Sequence, residues 1–232
     1  MSDKYHNPSG FPENLPEIQL FEEKMKAAIR ASAELFGYVP LETSAVEYLE
    51  TLASKGEINK EIYTISRALG EGESQDADRA LRFDLTVPTA RYVAQHYGEL
   101  VFPFKRYQIQ RVWRGERPQK GRHREFYQAD IDVIANEKLP LHFDAEVVMV
   151  VHKILESFNI GAFTIHINNR KLLQGILEGF LIEDTTAALK IIDKFDKVGF
   201  EVTKKSLVET TGISDEKATE LLGRLILGEN RA

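Results

Sequence analysis

The side chains best suited to hold charged ligands are concentrated in Phe104–Val133. From Tyr107 to Glu116, one parity gives Tyr107, Ile109, Arg111 and Trp113, and the other Gln108, Gln110, Val112, Arg114 and Glu116. From Phe126 to Ile134, Tyr127, Ala129, Ile131 and Val133 alternate with Gln128, Asp130 and Asp132. Alternation with period two predicts strands with one face on a core and one polar face. Arg117-Pro118-Gln119-Lys120-Gly121 supplies the loop between them, Pro fixing φ and Gly permitting φ > 0. Lys105–Arg124 holds eight Lys or Arg against one Glu, within a chain of net charge −6. Arginine forks match phosphate oxygens, whereas carboxylates and a Gln amide suit an ammonium group. A polar face running from arginines to carboxylates therefore offers sites for two unlike ligands. The competing reading is a solvated basic loop beside an ordinary sheet.

The flanking elements must position this hairpin. Residues 1–14 read as an irregular arm. Ile18, Phe21, Met25, Ile29 and Phe36 recur at near-helical spacing from Pro16 to Phe36, and Gly37 stands at the C-cap. Tyr38–Thr43 reads as a short strand whose Pro40 places it at an edge or interface. A short helix is predicted over Val46–Ser54, a strand over Glu61–Ser66 and a loop over Leu69–Asp78. A second alternating strand is predicted over Leu81–Val87. It would set Arg82, Asp84 and Thr86 on one side, with Thr86 or Val87 near the N-cap of a helix running from Pro88 to Gly98. An apolar helix over Asp144–Phe158 should pack on the sheet with His152 in or beside the core. Phe163–Ile167 alternates as a strand, and Asn169 opens a further helix. Asp184–Val198, Glu201–Thr210 and Ser214–Leu227 read as helices, Ser214 being a good N-cap.

At 232 residues, with 43% hydrophobic and 28% charged side chains, the composition fits one large domain, or one with a small appendage. There is no apolar run of about twenty residues, and the N-terminus lacks a signal-peptide pattern. Zero cysteines exclude disulfides and zinc thiolates, which fits a cytoplasmic location. The six histidines show no paired zinc-helix spacing, so no metal ligands are assigned, and there is no P-loop. The acidic balance confines any RNA contact to a local patch.

Arg114-Gly115-Glu116-Arg117 followed by Gly121–Gln128 resembles the second signature motif of class II aminoacyl-tRNA synthetases. Leu81–Pro88 and Phe126–Asp132 are similar to segments of histidyl-tRNA synthetases specifically. The resemblance covers roughly residues 9 to 180 well. It implies an α+β fold, a class II antiparallel sheet flanked by helices, with a core over 1–180 and a helical insertion over 181–232. The helix and proline-bearing strand of Pro16–Thr43 would correspond to the first class II motif, which implies a homodimer through that segment.

The resemblance further implies activation of histidine by ATP with Mg²⁺ as substrate, no prosthetic group, and transfer of histidine to tRNA(His). The first step is in-line attack of a carboxylate on the α-phosphorus, which asks for positioning and charge stabilisation. Arg114 would be catalytic, bridging the substrate carboxylate and the α-phosphate. Glu116, Arg122, Arg124 and Phe126 would join Arg114 in holding ATP, Phe126 by stacking on adenine. Asp84, Leu85, Thr86, Gln128 and Asp132, with Arg114, would hold histidine. An alternative role for Asp130 or Asp132 is a salt bridge to Arg82 or Arg111.

The third class II motif, a histidine-specific arginine segment and an anticodon-binding domain are not found in these residues. The chain is therefore expected to be a fragment that is inactive alone. Two other readings are a non-catalytic, synthetase-like regulatory subunit of histidine biosynthesis and a dimerising binding module.

Overall fold

Helix α1 (Pro16–Leu35) opens the first of two units, residues 1–163, in the computed structural model, which describes residues 5–53, 61–66 and 78–229. Pro16 lies in the first turn, where its missing N–H costs no hydrogen bond. At the other end Gly37 takes φ +78°, the left-handed conformation that stops the helix. The chain then enters β1 (Val39–Pro40), followed by β2 (Val46–Tyr48), α2 (Leu49–Ala53), β3 (Thr64–Ile65) and β4 (Arg79–Leu81). Next come α3 (Thr86–Gln95), β5 (Phe104–Trp113), β6 (Glu125–Ile134) and α4 (His142–Ser157).

These strands form two three-stranded sheets, ordered β1-β5-β6 and β2-β4-β3. β1 pairs parallel with β5, and its edge position accommodates Pro40, as expected for a residue with no N–H to give a ladder. β5 and β6 pair antiparallel over ten residues each, with Arg106 opposite Asp132, Gln108 opposite Asp130, Gln110 opposite Gln128 and Val112 opposite Phe126. The other parity of this ladder carries the core. Tyr107, Ile109, Ile131 and Val133 pack with Ala33, Phe36 and Tyr38 from the end of α1, and with Val150 and Ile154 of α4. Fully burying a side chain such as Val150 stabilises by about 1.5–3 kcal/mol. Helices thus occupy one face of the ladder and leave the polar parity on the other.

Four expectations are corrected. Val46–Ser54 is not one helix; Val46–Tyr48 pairs with β4 before α2 begins. Its β-branched and aromatic start favours the strand. The predicted strand Leu81–Val87 ends at Leu81, and α3 starts at Thr86 and stops at Gln95, short of Gly98. Arg82, Phe83, Asp84 and Leu85 are all buried, so in this turn alternation does not report two faces. His152 is exposed, its ring 5.4 Å from that of Phe163, and Phe163–Ile167 forms no strand. The loop expected over Leu69–Asp78 lies almost wholly outside the described residues.

The second unit, residues 164–232, is helical: α5 (Arg170–Gly179), α6 (Thr185–Ile192), α7 (Phe195–Val198), α8 (Phe200–Thr211) and α9 (Asp215–Glu229). Asn169 caps α5 by accepting from the Lys171 N–H at 2.9 Å, and Asp184 caps α6 through Ala187 at 2.9 Å. Ser214 accepts from the Lys217 N–H at 3.3 Å at the start of α9. Leu173 and Leu177 of α5 pack with Phe180, Leu189, Leu207 and Leu221, so α5 belongs to this unit although it precedes residue 180.

Candidate functional site

The ladder register assembles a polar strip. β5 contributes Arg106, Gln108 and Gln110, and β6 contributes Gln128, Asp130 and Asp132, all on the face that turns away from α1 and α4. Arg114 continues the β5 parity just beyond the strand. Its Nε donates to the Phe83 carbonyl at 3.0 Å and its Nη2 to the Gln128 side-chain oxygen at 3.3 Å. The Gln128 amide nitrogen in turn donates to both Asp130 oxygens, at 3.0 and 2.9 Å. The guanidinium of Arg114 also lies 5.2 Å from the Phe126 ring centroid, within cation–π range.

Asp84 reaches the strip by a different route from the one expected. It is not on a strand but in the turn before α3, where its Oδ1 accepts from the Val87 N–H at 3.1 Å. The capping bond that the sequence assigned to Thr86 or Val87 is therefore made by Asp84. Thr86 is the first residue of α3 and is exposed, whereas Asp84 is buried. Leu85 is fully buried and its carbonyl accepts from Thr89 Oγ1 at 2.7 Å. β4 and β6 lie in different sheets. The link between them is β5, whose Trp113 N–H bonds the Arg82 carbonyl at 3.0 Å, and then Arg114.

The loop residues group around Glu116. Arg122 Nη1 meets Glu116 Oε2 at 3.2 Å with its side chain 65% exposed, and Arg124 Nε donates to the Glu116 carbonyl at 3.1 Å. The arm secures the loop from outside. The Gly10 carbonyl accepts from the N–H groups of both Arg124 and Glu125, at 2.8 and 3.2 Å. Gly121 takes φ +78° in the turn, as its place in the sequence predicted.

The sequence reading missed how deeply the β5 side of the strip is buried. Arg106 and Gln108 are buried, with Thr43 and Thr89 beside them. Gln108 accepts from Arg106 Nη1 and Thr89 Oγ1, each at 3.1 Å, and donates to Thr43 Oγ1 at 2.8 Å and to Gln110. Arg82 is buried too, its Nε donating to the Arg111 carbonyl at 2.9 Å and its Nη1 to the carbonyls of Thr43 and Ser44 at 2.7 and 3.1 Å. Asp132 pairs with Arg106, Asp130 bonds Gln128, and Arg111 pairs with Glu125 at 2.7 Å. The alternative partners Arg82 and Arg111 are thus occupied elsewhere. Starting β5 at Phe104 rather than Tyr107 would have put Arg106 on the polar face.

Burial pushes the Asp132 carboxyl above its usual range, assisted by Asp130 and opposed by Arg106. Burial likewise lowers Arg106, against the attraction of Asp132, Asp130 and Asp84, so these acids share one electrostatic neighbourhood. A cavity of about 850 Å³ lies apart from this strip, lined by Phe11, Asn14, Glu22, Arg111 and Tyr127, and only Phe126 of the expected ligand residues reaches it. No described helix is long and apolar enough to cross a membrane.

Fold and site have counterparts among known proteins. A structure of histidyl-tRNA synthetase from Nostoc sp. PCC 7120 is 40% identical with a TM-score of 0.83, covering 96% of this chain and 48% of that one. A Bacillus halodurans structure described as an ATP phosphoribosyltransferase regulatory subunit/histidyl-tRNA synthetase reaches a TM-score of 0.76 at 19% identity, a likeness of fold alone. These neighbours bear out the α+β, class II synthetase-like fold. Histidine–tRNA ligases of Thermobifida fusca and Micrococcus luteus are 51% and 48% identical over 92% of this chain. Each alignment takes in 49% of the relative, so the chain spans about half the length of the curated relatives it matches. A family profile described as histidyl-tRNA synthetase matches residues 10–225, which takes in both units, the Arg114–Gln128 strip and the loop around Glu116. The chain belongs to the histidyl-tRNA synthetase family.

Proposed function

We propose that the protein acts in histidine–tRNA ligation, its first unit contributing the surface on which histidine and ATP with Mg²⁺ are brought together. The observation that carries this reading is the placement of Arg114 between the Phe83–Asp84 turn and Gln128, with Asp130 and Asp132 farther along the same strip. A guanidinium at one end and carboxylates at the other match an amino acid whose carboxylate meets a phosphate while its ammonium meets acids. Arg114 holds the substrate carboxylate and α-phosphate, offsetting charge that builds in the transition state. Asp84, the Leu85 backbone, Thr86, Gln128 and Asp132 bind histidine. Phe126 stacks on adenine, and Glu116, Arg122 and Arg124 hold the rest of ATP.

The protein works in the cytoplasm, as a homodimer formed through Pro16–Thr43. The exposed apolar residues Ile18, Phe21 and Val39 of that segment support a self-association face. The first unit serves as catalytic core and the second, which takes in α5, as helical insertion, and tRNA(His) is the acceptor.

Calorimetry on the 232-residue chain tests the site: histidine binding that is lost in Asp84→Asn and Asp132→Asn supports it, and a chain blind to histidine overturns it. The same chain is expected not to aminoacylate alone, and histidine-dependent ATP–pyrophosphate exchange would refute that part. Histidine binding without Mg²⁺-ATP binding in the longest available form would favour a histidine-sensing regulatory subunit instead.

A further inference from the structure

The largest fully buried side chain among the described residues is an arginine, Arg106, directly opposite Asp132 on the β5–β6 ladder. Its Nη2 pairs with Asp132 and its Nη1 donates to Gln108 at 3.1 Å, while Nε has no hydrogen-bond partner among the described residues. The pair is asymmetric: the Arg106 side chain is 0% exposed and that of Asp132 is 39% exposed. Burying a guanidinium is costly, and a buried ion pair is commonly replaceable by apolar side chains without loss of stability. A cation buried under a partly open carboxylate is a poor design for stability alone. It does suit a carboxylate that must stay charged and correctly aimed while half removed from water.

We propose that Arg106 is a positioning residue of the histidine site, fixing and charging the Asp132 carboxylate from below so that it meets a cationic group of the ligand from above. This rests on the histidine-binding reading above. The row Arg106–Gln108–Thr43 ties the orientation of that carboxylate to the buried amide layer, so Arg106 acts through Asp132 and does not itself touch the ligand. The titratable groups facing the pair are Asp130 beside Asp132 on β6, Asp84 from the turn before α3, and Tyr38 from the turn after α1. Of these, Asp130 opposes ionisation of Asp132, and Arg106 is the cation paired with it. Removing Arg106 therefore moves the Asp132 carboxyl further up.

The test compares wild-type, Arg106→Met and Arg106→Lys forms of the 232-residue chain in histidine calorimetry between about pH 5 and pH 8. Dividing each variant's affinity by the wild type's at the same pH cancels titration of the ligand. For Arg106→Met the ratio should fall about tenfold or more toward the acid end and recover toward the alkaline end, one pKa unit corresponding to tenfold. Arg106→Lys, which keeps the charge, should stay within about threefold of wild type, a factor near 0.6 kcal/mol. A ratio that is flat with pH, or no loss at all, overturns the proposal. Carbon-detected NMR titration of the Asp132 carboxyl without histidine gives a second readout. Wild type and Arg106→Lys should titrate close together, and the neutral variants Arg106→Met and Arg106→Gln above both; a midpoint in either neutral variant equal to that of wild type overturns the proposal. If wild type fails to bind histidine while the NMR midpoints shift as expected, the ligand assignment fails and Arg106's hold on Asp132 stands.

Discussion

Arg114 and Gln128 are joined across the β5–β6 ladder, Nη2 donating to the amide oxygen at 3.3 Å. With that oxygen engaged, the amide nitrogen faces Asp130, where it donates to both carboxylate oxygens. One contact therefore sets the direction of a short relay from a cation to an acid. Arg114→Lys keeps the charge but loses the fork that spans Phe83 and Gln128. In a preparation that activates histidine, single-turnover adenylate formation should slow roughly 10- to 100-fold, the equivalent of about 1.5–3 kcal/mol for one charge-assisted bond.

Arg82 is a test of structure rather than ligand binding. It satisfies the carbonyls of Thr43, Ser44 and Arg111 and the Gln110 oxygen from a buried position. Arg82→Met removes these bonds, at about 1–3 kcal/mol for each acceptor that is left dry and without another donor. Urea unfolding should show a lowered midpoint for the first unit.

Glu146 on α4 supplies a pH signature. It pairs with Lys105 at 2.7 Å and lies beside Tyr38, whose own hydroxyl burial pushes well up. Burial raises the Glu146 carboxyl, but the Lys105 ammonium and the neighbouring Tyr38 hydroxyl together hold it below its ordinary 4.5. A depressed carboxyl stabilises above its unfolded value, and that contribution drains away as pH falls through the lower folded value. Thermal melts of Glu146→Gln should therefore lose part of the acid-side decline seen in wild type below about pH 5.

Gly10 couples the arm to the loop. Its φ is +89°, and a Cβ there would sit 2.8 Å from Arg124 Cγ and 3.0 Å from Pro118 Cγ. Gly10→Ala should cost about 1–2 kcal/mol in local backbone strain alone. Limited trypsin digestion should then cut faster after Lys120 or Arg122 than in wild type.

The hairpin was legible because both of its faces are written in period two. Tyr107, Ile109, Ile131 and Val133 did go to the core, and Gln128, Asp130 and Asp132 to the polar face. Helix α1 and its Gly37 stop were equally plain. The Leu81–Val87 segment misled because the same alternation occurs in a buried turn, where Arg82 and Asp84 face inward with Phe83 and Leu85 and find polar partners there. Asp84 does share the electrostatic neighbourhood of the strip, but from a turn and not from a strand. Arg106 stayed invisible for a different reason: an arginine at a strand entrance reads as solvated, and only the register sets it opposite an acid.

The pairing of Arg106 with Asp132 and Tyr107 with Ile131 has a consequence for how this hairpin can drift between relatives. Gaining or losing one residue within β5 would turn the aromatic side toward solvent and drive charges against α4, ruining core and cleft together. A two-residue change would keep inside and outside intact yet bring Asp132 opposite Gln108 or Phe104. Length variation should therefore collect in the Arg117–His123 loop, where neither ladder contacts nor sidedness depend on the count.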